Sequence, residues 1–141
     1  LRTRRGTARG RGVVPGGGLA LLRAIPAVEK EASRYTGDQH TGAMILKKAL
    51  EAPARQIAEN SAADPGVVVE RMRSGTGNYG FDAGRSEYVD LAEAGIIDPT
   101  KVVRVALENA ASVAGTLLLA EATMTEAEEP KSERQSPLEA A

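Results

Sequence analysis

The sequence contains no cysteine and no tryptophan, and only 3% of its 141 residues are aromatic. Without cysteine the chain forms neither a disulfide nor a thiolate metal site, which fits a reducing compartment. With so few aromatic side chains, a hydrophobic core must be built from Ala, Val, Leu and Ile, a mixture that suits close-packed helices. We therefore expect a mainly α-helical protein with a single core.

Groups that do chemistry are also scarce. His40 is the only histidine, and it lies beside a predicted turn without a partner motif, so we interpret it as a surface residue. No Ser-His-Asp triad can be assembled, and the acidic residues at positions 64, 90 and 93 lack the spacing of metal ligands. The residues themselves predict no catalytic residue and no metal site.

Charge is segregated at the two ends of the chain. Residues 1–12 carry five Arg and no acid, and residues 125–141 carry five Glu against two basic residues. We predict a disordered or aberrant segment at 1–12, a folded part at 13–124 and an acidic flexible tail at 125–141. The Arg-rich start has no aromatic platform or motif for nucleic acid, and no apolar run approaches the ~20 residues of a membrane span. The first residue is Leu rather than Met, so we expect a fragment.

Helical spacing of apolar residues predicts three helices in the first half of the chain. The first runs from Leu19 to about residue 34 and is bent or divided at Pro26. The second runs from about residue 38 or 41 to Asn60, kinked at Pro53, with Leu46 buried and Glu51 in water. Asp64 followed by Pro65 is typical of a helix start, and the third, short helix should end at residues 74–75.

A change of periodicity between residues 75 and 90 predicts one small β-hairpin around the turn at residues 83–86. The longest helix should then run from about Pro99 to Thr123, with Asp98 as its N-cap. Its polar stripe is narrow, so we expect this helix to be buried on most sides.

Three places in the chain are candidates for binding. The run of glycines at residues 16–18, between an extended segment and a helix start, is a tight structural turn or a loop that contacts a nucleotide. At the hairpin tip, Asp82, Ala83 and Gly84 form a plain turn or a surface for a base. Asp98 either caps the last helix or accepts hydrogen bonds from a ribose or an adenine amine.

Whole stretches of the sequence, in their order, resemble the group I chaperonins, the GroEL and Hsp60 family. The resemblance covers about residues 12–124. It rests on Gly12-Val13-Val14-Pro15-Gly16-Gly17-Gly18-Leu19-Ala20-Leu21-Leu22-Arg23, on Ala49-Leu50-Glu51-Ala52-Pro53 through Asn60, on Gly77-Asn78-Tyr79-Gly80-Phe81, and on Gly95-Ile96-Ile97-Asp98-Pro99-Thr100-Lys101-Val102 with its continuation through Gly115.

The resemblance implies the carboxy-terminal half of the helical equatorial ATP-binding domain of a ring-forming subunit. It also implies a homo-oligomeric double ring, a co-chaperonin lid, unfolded client proteins, and a location in the bacterial cytoplasm rather than the mitochondrial matrix. ATP or ADP is the implied cofactor. By position, Gly17 resembles the nucleotide-contacting glycine, Asp82, Ala83 and Gly84 fall where the family has Asn-Ala-Ala beside the adenine, and Asp98 resembles the aspartate that contacts the nucleoside.

Other parts of the family's site do not occur in this sequence. The Gly-Asp-Gly-Thr-Thr-Thr loop that holds the phosphates and Mg²⁺ is absent, and so is the aspartate that orients the attacking water. Since positioning and charge neutralisation supply most of phosphoryl-transfer catalysis, this chain alone is not expected to hydrolyse ATP. The alternative is an inactive structural fragment that neither hydrolyses ATP nor assembles.

Overall fold

The computed structural model describes residues 12–122 and 124. Both predicted end segments therefore lie outside the described residues, except Gly12. The helices are α1 (Leu19–Ala32), α2 (Gly37–Ala49), α3 (Ala52–Asn60), α4 (Pro65–Ser74) and α5 (Thr100–Leu119). The strands are β1 (Val13–Pro15), β2 (Tyr79–Asp82), β3 (Glu87–Asp90) and β4 (Ile97–Pro99). The prediction of a mainly helical fold is confirmed.

Helix α1 continues through Pro26 without interruption. Pro26 is exposed while Leu22 and Ile25 beside it are buried, so the ring faces water and the apolar face stays intact. The second predicted helix, by contrast, is divided in two. Helix α2 ends at Ala49 and α3 begins at Ala52 with Pro53 in its first turn, where a proline needs no N–H donor.

The core joins α1, α3, α4 and the hairpin. Its buried members are Leu19, Leu22, Ile25, Leu50, Ala54, Ala58, Val68, Val69, Met72, Phe81 and Leu91. Helix α4 begins as predicted, because the Asp64 carboxylate accepts hydrogen bonds from the N–H groups of Gly66 at 2.7 Å and Val67 at 3.0 Å. Helix α2 contributes no buried residue, and Leu46, which we expected to be buried, is 41% exposed.

Two small antiparallel sheets lie outside the helices. The predicted hairpin is confirmed, with β2 paired to β3 from Tyr79↔Asp90 to Asp82↔Glu87. The second sheet pairs β1 with β4, Val14 lying opposite Asp98. The sequence pattern does not predict this sheet, because its two strands are three residues long and about 80 residues apart, and neither has enough residues to show alternation.

The chain divides into two compact units at a boundary within α5, where the first ends at Leu107 and the second begins at Glu108. The expectation that α5 is buried on most sides is wrong for this chain, since α5 has no buried residue and Leu118 and Leu119 are 86% and 87% exposed. By length and composition alone, α5 is also long and apolar enough to cross a membrane. Its sequence is not an uninterrupted apolar run, since it contains Lys101, Arg104 and Glu108, and a core helix of a soluble protein passes the same test.

Candidate functional site

The glycine run forms the tight turn between β1 and α1. The Gly16 N–H donates to the Ile96 carbonyl at 2.9 Å, just before β4, and the Leu19 N–H donates back to the Gly16 carbonyl at 3.0 Å. Gly17 and Gly18 both have positive φ, 64° and 76°, a conformation that side chains with a Cβ disfavour. The turn therefore needs glycine at these two positions whether or not it binds a ligand.

The neighbours of Gly16 and Gly18 differ. A Cβ on Gly16 would lie 3.4 Å from Oδ2 of Asp98, so the carboxylate stands directly beside the turn. A Cβ on Gly18 would lie 2.8 Å from the backbone nitrogen of Ala54, so Gly18 allows α1 to approach α3. The last glycine of the run is thus explained by packing, and the first is adjacent to a candidate ligand group.

Gly17 faces the hairpin. A Cβ added to Gly17 would lie 3.5 Å from the Phe81 carbonyl oxygen and 3.5 Å from a methyl group of Leu91, both ordinary contact distances. The backbone of Gly17 is partly exposed and lies against the strand residue that precedes Asp82. Gly16 therefore lies beside Asp98, and Gly17 lies beside Phe81 of β2, the residue that precedes Asp82.

Asp98 does not cap the last helix. The Thr100 N–H, which an N-cap at residue 98 would be expected to satisfy, donates instead to the Gly12 carbonyl at 2.9 Å. Pro99 is the last residue of β4 and α5 begins at Thr100. Within residues 12–122 the half-buried Asp98 carboxylate accepts no hydrogen bond. Its oxygens therefore remain available to a bound hydroxyl or amine.

The hairpin tip is a turn closed by Asp82. Its Oδ1 accepts hydrogen bonds from the N–H groups of Gly84 at 2.9 Å and Arg85 at 3.3 Å, and its Oδ2 lies 4.0 Å from Nε of Arg85. Asp82 is 9% exposed, Ala83 is half-buried against the core, and Gly84 is exposed. Since the oxygen of an Asn side chain accepts the same two hydrogen bonds, this turn geometry does not require the negative charge.

The arrangement offers groups that can bind a ligand. Glycine backbone, a half-buried carboxylate and the hairpin provide contacts for a polar planar ligand, and the described part of the chain has no group of three or more His, Cys, Asp or Glu residues that would hold a metal ion. The absence of a catalytic residue and of a metal site stays a prediction.

Two charged side chains, Glu51 and Arg23, make hydrogen bonds that the sequence pattern does not predict. Glu51, expected in water, is 7% exposed and accepts hydrogen bonds from Arg55 at 3.0 and 3.2 Å and from Arg73 at 3.2 Å. Arg23 on α1 donates to three backbone carbonyls. Only the i,i+4 spacing of Glu51 and Arg55 was a visible signal; the other contacts join residues more than 20 positions apart.

Comparison with known proteins extends these observations. The model of the TCP-1/cpn60 chaperonin family matches residues 1–128. Chaperonin GroEL 5 of Bradyrhizobium diazoefficiens is 70% identical over 123 residues, covering 87% of this chain and 23% of the relative. The open-state monomer of a group II chaperonin from Methanococcoides burtonii superposes with a TM-score of 0.71 at 27% identity, covering 77% of this chain and 28% of that one. This chain thus spans about a quarter of the length of the proteins it resembles.

Proposed function

Since the chain belongs to the TCP-1/cpn60 chaperonin family and is of the group I GroEL type, we propose that it forms the nucleoside side of the ATP site of a chaperonin subunit. That subunit uses ATP to assist the folding of unfolded or misfolded proteins inside a homo-oligomeric double ring closed by a co-chaperonin lid. The bacterial relative supports a cytoplasmic location. The domain division into residues 1–12, 13–124 and 125–141 stays a prediction.

The observation that supports this proposal is that the glycine turn lies beside Asp98 and beside β2, the strand that leads into the hairpin tip. The Asp98 carboxylate beside Gly16 supports a hydrogen bond to a ribose hydroxyl, and Gly17 offers backbone that a ligand can approach closely. The hairpin residues Asp82, Ala83 and Gly84 follow Phe81, whose carbonyl oxygen lies 3.5 Å from the position that a Cβ on Gly17 would take. ATP or ADP fits these donors and acceptors, while the phosphates and Mg²⁺ require groups that this sequence does not contain.

A chimaeric subunit tests the proposal in a complete chaperonin. Residues 13–124 would replace the matching segment of the Bradyrhizobium relative, and steady-state ATP hydrolysis would be measured in the assembled particle. We expect the chimaera to hydrolyse ATP, and Asp98→Ala to raise the half-saturating ATP concentration about tenfold, as loss of a charge-assisted hydrogen bond implies.

Glu93→Ala is the matched control, because Glu93 is an exposed carboxylate with the same charge as Asp98 and lies outside the glycine turn. We expect it to leave the half-saturating concentration unchanged. If Asp98→Ala behaved like Glu93→Ala in an assembled particle, the nucleoside-side assignment would be wrong.

The second candidate function is that of a structural fragment, and the exposed apolar surface of α2 and α5 favours it for the chain by itself. Ile45 on α2 is 66% exposed, and Val113 on α5 is 61% exposed. Calorimetric titration of the 141-residue chain with Mg·ADP, together with its native mass, tests this alternative. Submillimolar binding or a ring-sized particle would contradict the fragment function.

A further inference from the structure

Arg23 lies five residues after Gly18, on the first turns of α1, and its guanidinium donates to three carbonyls of another part of the chain. Nε donates to Gly77 at 3.1 Å, and the two Nη groups donate to Arg73 and Tyr79 at 3.4 Å each. The acceptors belong to the end of α4, the connection after it, and the first residue of β2. A single planar group thus joins the start of α1 to the start of the hairpin.

The carbonyls that accept from Arg23 lie outside the regular hydrogen-bond pattern of α4 and of the β2–β3 pair. Arg73 belongs to the last turn of α4, whose carbonyls have no partner within the helix, and a cation there is favourable. In the β2–β3 pair, Gly80 lies opposite Val89 and Asp82 lies opposite Glu87. The carbonyl of Tyr79 lies on the other edge of β2.

The open edge of β2 explains how this contact reaches the candidate site. Carbonyls of strand residues two apart point the same way, so those of Tyr79 and Phe81 share one edge of β2. Tyr79 accepts from Arg23, and the Phe81 oxygen lies 3.5 Å from the position of a Cβ on Gly17. The same strand edge is therefore held at one end by Arg23 and lies beside the glycine turn at the other, about 7 Å away along the strand.

We infer that Arg23 is a positioning residue for the nucleoside side of the site. It fixes the hairpin against the start of α1, so that Asp82 and Ala83 stand at a set distance from the Gly17 backbone. Arginine suits this role because its rigid, planar guanidinium presents several donors at once, whereas a lysine ammonium acts as a compact point charge. The inference rests on the proposed function, since it names the residue that places the hairpin for that ligand.

The experiment uses the full-length chimaera described above. Arg23→Met removes every donor while keeping a flexible apolar stem, and Arg23→Lys keeps the charge with a different donor geometry. Arg34→Met is the matched control, because Arg34 follows α1, is 64% exposed and pairs only with the neighbouring Glu31 among residues 12–122. Steady-state hydrolysis gives the half-saturating ATP concentration and kcat for each assembled particle.

We expect Arg23→Met to raise the half-saturating ATP concentration about tenfold and to change kcat less than about twofold, because the phosphate side of the site is untouched. Arg23→Lys should fall between Arg23→Met and the unsubstituted chimaera, and Arg34→Met should match the latter. Hydrogen exchange should rise in peptides covering residues 77–82 of the Arg23→Met particle.

The remaining outcomes separate this inference from the proposed function. An unchanged half-saturating concentration in Arg23→Met, with a raised one in Asp98→Ala, overturns the role of Arg23 alone. No change in either variant overturns the nucleoside-side assignment and the role of Arg23 with it. Equal losses in kcat and in ATP affinity in Arg23→Met would indicate a merely structural role and would contradict the inference. If Arg23→Met does not assemble, Arg23→Lys decides, and an unchanged affinity or a failure to assemble in that variant contradicts the inference.

Discussion

Replacing Gly17 and Gly18 separately by alanine tests whether the glycine turn has been assigned correctly. Both residues have positive φ, so both substitutions force an alanine into the left-handed region at a cost of roughly 1–2 kcal/mol. Alanine also lowers the conformational entropy of the unfolded chain, which stabilises the folded state by about 0.4–1 kcal/mol. These contributions apply to both positions, so they cancel in the comparison.

Packing distinguishes the two substitutions. The new Cβ at position 17 meets its nearest atoms at 3.5 Å, an ordinary contact, whereas the one at position 18 lies 2.8 Å from the nitrogen and 3.0 Å from the Cα of Ala54. Backbone of α3 cannot rotate aside as a flexible side chain can, so α1 and α3 must separate. Overpacking of this kind costs about 1–3 kcal/mol, which Gly17→Ala does not incur.

Native-state hydrogen exchange in the chimaeric particle measures the difference, because it reports local opening free energies. Each 1.4 kcal/mol corresponds to a tenfold change in rate. We therefore expect amides of α1 and α3 to exchange about 5- to 150-fold faster in Gly18→Ala than in Gly17→Ala. Gly17→Ala should instead raise the half-saturating ATP concentration. Equal exchange in the two variants would refute the assignment of Gly18 to packing.

Asp64→Ala should destabilise the start of α4 by about 1 kcal/mol, seen as faster exchange at Gly66 and Val67, while Asp64→Asn should keep most of the cap; equal exchange in both variants would contradict this. The hydrogen bond from Lys47, at 2.7 Å, and its charge lower the pKa of Glu29 from its ordinary 4.5. The Glu29–Lys47 contact between α1 and α2 therefore stabilises the fold at neutral pH, and this stabilisation is lost as the pH falls from about 4.5 through the lowered pKa of Glu29; Lys47→Met should return the pKa towards the ordinary value in a carboxyl NMR titration, and no movement would contradict the cause given. The isolated chain should self-associate or form a molten, concentration-dependent state because α2 and α5 are uncovered, and a sharp, reversible thermal transition of monomer would disprove it.

Local patterns predicted most of the helices and the hairpin. Capping at Asp64 and the alternation around the turn at residues 83–86 depend on residues a few positions apart, and both are confirmed. The patterns failed where a contact joins distant parts of the chain. The β1–β4 sheet and the burial of Glu51 between two arginines both depend on such contacts, and local periodicity does not encode them.

The candidate site was predicted by resemblance more than by chemistry. From the residues alone Asp98 was better explained as a helix cap, and the structure removes that explanation because the Gly12 carbonyl takes the Thr100 N–H. The helix α5 error has a different origin. Its composition is typical of a buried helix, but no residue of α5 is buried, so the composition does not show whether a covering surface is present.

The β1–β4 sheet explains why the nucleoside side of a site is set within so short a segment. Gly12 and Thr100 are joined by a backbone hydrogen bond, and Val14 pairs with Asp98. The chain between them is thereby closed on itself, so the distance from the glycine turn to Asp98 and to the hairpin is fixed by bonds inside residues 12–100. The exposed apolar faces of α2 and α5, by contrast, would need a covering surface that residues 12–100 do not provide. Ligand geometry on this side is therefore specified locally, whereas stability and catalysis depend on the larger subunit proposed here.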